Sequence, residues 1–68
     1  MINVKILELL DKDERNISWL SRRTGLSYSA LHKLSSNNTN SISFDTLEAI
    51  CTALECNIED VLEIVKSE

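Results

Sequence analysis

Proline is absent from the 68 residues and glycine occurs once, so neither proline breaks nor glycine-rich linkers divide the chain. No strand signal is evident, and no apolar run approaches the length of a membrane-spanning helix. The opening Met1 to Leu10 is interrupted by Asn3, Lys5 and Glu8, which breaks up any signal-peptide core. A soluble, cytoplasmic protein with no membrane association is therefore expected. Cysteine is scarce as well. Cys51 and Cys56 make no disulfide framework, and no second Cys or His pair completes a zinc site. They read as small buried hydrophobes, Cys51 on the same helical stripe as Leu47 and Leu54. His32 and the two cysteines fall on different faces and no carboxylate pair has a cleft to work in, so no enzyme, no metal and no cofactor is expected.

What is present is ordinary globular composition, 43% apolar and 26% charged, in a chain near the size at which one core barely suffices. Residues 1–68 read as a single domain for which a partner subunit is expected. The net charge of −4 is unevenly spread. Residues 1–14 set Lys5 and Lys12 against Glu8, Asp11, Asp13 and Glu14. Residues 45–68 set Lys66 against Asp45, Glu48, Glu55, Glu59, Asp60, Glu63 and Glu68. Between them, residues 15–44 hold Arg15, Arg22, Arg23 and Lys33 and no acid. Screening limits electrostatic reach to roughly 8 Å at cellular salt, so a phosphate meets the local face rather than the average.

Helical spacing of Ile2, Ile6, Leu7, Leu9 and Leu10 predicts a first helix from about Ile2 to Leu10. Asn16 is placed to cap a second helix, with Ile17, Leu20 and Thr24 along one side and Arg22 and Arg23 toward solvent. Gly25 then supplies a positive φ, and Ser27 caps a third helix reaching about Ser35. Leu20, Leu26, Leu31 and Leu34 face a shared core, which leaves Tyr28, Ser29, His32 and Lys33 outside. Helix, tight turn, helix with a polar, partly basic outer face on the second member is the arrangement that reads a DNA major groove. Ser35 to Ser41 is a loop by composition. Ile42 and Leu47 flank Ser43 as a hydrophobic staple, opening a fourth helix from about Phe44 to Leu54. Asn57 and Asp60 open a fifth in capping-box style, carrying Ile58, Val61, Leu62 and Val65. An all-α, five-helix domain follows.

The run Leu20-Ser21-Arg22-Arg23-Thr24-Gly25-Leu26-Ser27-Tyr28-Ser29-Ala30-Leu31-His32-Lys33-Leu34 resembles the helix-turn-helix of Cro/CI-type transcriptional regulators, the XRE family. The run from Ile42 to Leu62 is similar to that family's fourth and fifth helices, most closely in a small single-domain branch with two cysteines in this segment. The resemblance covers about residues 2 to 65 and implies a compact lambda-repressor-like fold. Ser21 departs from the alanine usual between the two helices; a serine fits by size and can bond back to the preceding turn.

The resemblance implies that Ser27, Tyr28, Ser29, His32 and Lys33 meet the major groove, Ser27 and Ser29 at a helix N-terminus that already attracts anions. It places Asn16, the amide of Ile17 and the loop residues Asn37, Asn38, Thr39 and Asn40 on the phosphate backbone. Arg22 and Arg23 divide between a flanking phosphate and solvent. Trp19 reads first as a packing lid against the first helix and second as a partner contact. Ile64 and Val65 suit either a frayed chain end or a dimer seam that sets two recognition helices about 34 Å apart. The function implied is a sequence-specific DNA-binding transcriptional regulator, a repressor acting as a homodimer on an inverted repeat of double-stranded DNA. Such stand-alone domains resemble regulators of phages and mobile elements, with a toxin or an antirepressor as a possible protein partner. The alternative, kept open by the acidic ends, is a protein–protein interaction module on the same fold.

Overall fold

Five short helices and one pair of strands make up residues 1–66, the part of the chain that the computed structural model describes. They are β1 (Ile2–Val4), α1 (Ile6–Lys12), α2 (Ile17–Thr24), α3 (Tyr28–Ser35), α4 (Phe44–Leu54), α5 (Ile58–Val61) and β2 (Leu62–Ile64). Helices this short do not hold alone in water and are stabilised by the faces they bury together. Each contributes to one core, in which Ile6, Leu10, Leu20, Leu31, Ile50 and Val61 are all but fully covered. Leu26, Cys51 and Leu54 pack around it half-buried. None of the described helices is long and apolar enough to cross a membrane.

Caps mark where the helices begin. The Asn16 side chain accepts from the Trp19 amide at 2.9 Å, Ser27 Oγ from the Ala30 amide at 3.1 Å and Ser43 Oγ from the Thr46 amide at 3.1 Å. At α5 the Asp60 carboxylate accepts from the Asn57 amide at 3.0 Å. These satisfy amides that have no partner within their helix.

The expectation of an all-α domain is corrected by the sheet. β1 and β2 run antiparallel, with Ile2 opposite Ile64, Asn3 opposite Glu63 and Val4 opposite Leu62. The first helix begins at Ile6, not Ile2, and the fifth ends at Val61, before Leu62 and Val65. Ile2-Asn3-Val4 and Leu62-Glu63-Ile64 both alternate apolar and polar, a period-2 signal only three residues long that also fits helical spacing. Long-range pairing decides between the two: the Lys5 amide donates to the Val61 carbonyl at 2.7 Å and the Val65 amide to the Met1 carbonyl at 2.8 Å. The ammonium of Met1 returns a bond to the Val65 carbonyl at 2.9 Å.

α4 ends in a Schellman motif. Glu55 takes the left-handed conformation (φ 53°), its amide donating to the Thr52 carbonyl at 3.3 Å and the Cys56 amide to the Cys51 carbonyl at 3.0 Å. A side chain with a Cβ is strained there, by about 1–2 kcal/mol. Glu55→Gly is therefore expected to raise the stability of the domain by about 1 kcal/mol, read as a rise in Tm of roughly 4–8 °C by circular dichroism.

Candidate nucleic-acid interface

The junction between α2 and α3 is built from backbone and hydroxyl bonds around one glycine. Gly25 has φ 78°, and its amide donates to the Ser21 carbonyl at 2.9 Å, closing α2. A Cβ there would meet nothing within 4 Å, so the requirement is conformational and not steric crowding. Thr24 Oγ1 donates back to the Leu20 carbonyl at 2.7 Å and accepts from the Leu26 amide at 3.2 Å. Ser21 Oγ donates forward across the turn to the Leu26 carbonyl at 2.6 Å. That last bond differs from the expected bond back into the preceding turn: the serine ties the end of α2 to the segment that leads into α3.

The turn sets α3 with Leu31 and Leu34 inward and Tyr28, Ser29, His32 and Lys33 exposed. Tyr28 and His32, one helical turn apart, stack with ring centroids 6.2 Å apart and planes 18° from parallel, forming a short aromatic ridge. Ser27 Oγ caps the helix as an acceptor and keeps its own proton to donate. No acid occurs in α3.

Two grooves adjoin α3. One brings Tyr28 together with Arg15, Asn16 and Ile17 at the start of α2; its other wall, from α1, carries Glu8 and Asp11. Ile17 is itself buried, so its amide and not its side chain is the group on offer. Arg15, which in sequence is one member of the basic strip, sits with its guanidinium 4.1 Å from the centre of the Trp19 ring. Trp19 packs half-buried on the core with that arginine over it. The second groove joins Lys33 to Thr39 and Ser41 of the loop, and no carboxylate among the described residues lines it.

The loop residues divide. Asn38, Thr39 and Asn40 are exposed. Asn37 is also exposed but its amide group is engaged inside the molecule: Oδ1 accepts from the Val4 amide at 2.8 Å and Nδ2 donates to Asn3 Oδ1 at 3.2 Å. Its left-handed backbone (φ 60°) suits an asparagine. Asn3 Nδ2 in turn donates to Glu63 Oε1 at 2.6 Å, so the sheet anchors the loop beside α3. Arg23 shares a groove with Asp45 and Glu48 of α4 and Arg22 faces solvent. The two cysteines lie far along the chain from this surface, half-buried and not joined by a disulfide. Burial, and then the neighbouring Cys51, push the Cys56 thiol up to about 11, which keeps it protonated at neutral pH.

With this geometry in view, a family model described as a Cro/C1-type HTH DNA-binding domain matches residues 5–67. The chain is 37% identical over all 68 residues to an uncharacterized HTH-type transcriptional regulator of Bacillus subtilis, YozG, and spans 79% of that protein. No solved structure matches.

Ser21→Ala removes the bond across the turn and leaves the half-buried Leu26 carbonyl without that partner. It is expected to destabilise the domain by about 1 kcal/mol in a denaturant melt.

Proposed function

The chain belongs to the Cro/C1-type helix-turn-helix DNA-binding family, and from that premise we propose that it is a sequence-specific transcriptional regulator. Membership in this family sets it among DNA-binding proteins and not among enzymes. In this reading residues 1–68 act as one cytoplasmic DNA-binding domain, a repressor that occludes a promoter by occupying an inverted repeat. The observation that carries it is the exposed, acid-free outer face of α3, held at a fixed angle to α2 by the Gly25 turn.

Each group has a distinct task. Ser29, His32 and Lys33 read base edges in the major groove, lysine favouring guanine O6 and N7. Tyr28 offers its ring to a thymine methyl or its hydroxyl to a phosphate, and the stacked His32 limits the rotamers it must give up on binding. Ser27, Asn16 and the Ile17 amide hold one phosphate run at two helix N-termini, while Asn38 and Thr39 hold the other. Asn37 serves by tethering the loop that carries them. The homodimer seam is proposed along the outer edge of β2, where Ile64 is 77% exposed, with Val65 beside it. A second copy there covers apolar surface in a domain too small to waste it.

Glu8 and Asp11 work against this function, because they stand on the far wall of the groove that Tyr28 and Asn16 line. They weaken contact with any phosphate and leave more of the affinity to the right bases.

Binding sites selected from genomic fragments by the purified protein supply the operator for measurement. Lys33→Ala and Tyr28→Ala are each expected to weaken operator binding by roughly 1–3 kcal/mol while the domain stays folded. Asp11→Asn is expected to strengthen it, and wild-type affinity is expected to fall with salt on a log–log slope of several units. Unchanged binding by both α3 variants, or no retardation of any duplex, overturns the reading.

A further inference from the structure

Phe44, at the start of α4, is 89% exposed, more than any other large apolar side chain among the described residues. It lines an open groove between α4 and α5 together with Leu47, Cys51 and Ile58, the last of these 59% exposed. Three carboxylates, Glu48, Glu55 and Asp60, line the same groove, and no Lys, Arg or His among the described residues does. Because the Cys56 thiol stays protonated, it adds to the apolar lining and not to the charge. An apolar trough edged by carboxylates, with no cation in its lining, is left without a role by the DNA reading.

We propose that this groove docks a basic amphipathic helix belonging to a protein other than this chain. Helix-in-groove recognition needs apolar anchors on one face of the guest and a trough between host helices. α4 runs for 11 residues, about 16 Å, which is room for roughly three turns of a guest lying along it. The carboxylates decide the sign of the guest. They attract lysine and arginine flanking the anchors and turn away nucleic acid. They also argue against a second copy, since self-pairing through this face sets three carboxylates against three more, and like charges opposed across an interface are costly. The Schellman motif at Glu55 and Cys56 fixes α5 against α4, so the trough is preformed. This inference does not rest on the DNA reading: Phe44, Ile58, Glu48 and Glu55 lie outside α3 and outside every group assigned there to DNA.

The test uses the full chain, labelled for backbone amide detection, at about 0.15 M salt, where reach is short. Three synthetic peptides are added separately: leucine and lysine patterned as an amphipathic helix, the same composition scrambled, and the leucine–glutamate counterpart. Saturable binding of the first alone, with shifts centred on Phe44, Leu47, Cys51 and Ile58, is expected. Phe44→Ser is expected to weaken it about 30-fold, as loss of a buried anchor does. Glu48→Lys combined with Glu55→Lys is expected to weaken it about tenfold, and both variants should keep the wild-type melt and DNA retardation. Equal binding of the scrambled peptide, or shifts centred elsewhere, overturns the proposal. So does a fall in solution mass for Phe44→Ser in sedimentation equilibrium, which would mean that a second copy covers this face.

Discussion

One left-handed residue sets the geometry on which the rest depends. With φ at 78°, Gly25 lets α2 stop after Thr24 and lets the chain re-enter helix at Tyr28 with only Leu26 and Ser27 between. Any L side chain there carries a conformational cost even though the space beside it is open. The hydroxyls of Ser21 and Thr24 then bind the same few backbone groups, so the angle between the two helices is held by bonds as well as by the packing of Leu20 and Leu31. Orientation of the α3 outer face follows from this turn.

The second constraint comes from the two ends of the described chain. β1 and β2 add few residues, yet the Glu63–Asn3–Asn37 chain of bonds passes through them to the loop after α3. A loop of serine and asparagine has many accessible conformations, and tethering Asn37 to Val4 removes some of them before any ligand arrives. Closing the sheet thus does two jobs: it covers one end of a small core through Val4 and Leu62, and it presets the segment that flanks α3.

Most of the helical framework was legible in the residues because local chemistry states it. Asn16, Ser27 and Ser43 each cap the helix expected of them, Gly25 closes α2, and α2, α3 and α4 occupy the expected ranges. The strands were not legible, because Ile2-Asn3-Val4 satisfies both periods and only its partner 60 residues away chooses between them. For the same reason the internal role of Asn37 was hidden: asparagine in a polar loop has a local meaning, whereas its bond to Val4 is a fact of tertiary structure. Size alone fits Ser21 between the two helices but does not choose its partner, since a side chain at that position has acceptors both behind and ahead. Arg15 beside Trp19 has a signal, the i, i+4 spacing of a cation and an aromatic, but Arg15 lies ahead of the Asn16 cap and outside α2, where helical spacing does not apply.

Charge is unevenly divided along the chain. Residues 15–44 carry four cations and no acid, whereas the acids gather toward both ends; in space the division is partial, because Glu8 and Asp11 face Tyr28 and Arg23 shares a groove with Asp45 and Glu48. We place nucleic acid on the α3 side of the molecule. Backbone amide shifts on adding a mixed-sequence duplex at low salt test it most directly. Perturbations are expected at Asn16 and Ile17, along Ser27 to Lys33 and at Asn38 and Thr39. Shifts centred instead on α4 and α5, or none at any salt, would contradict it.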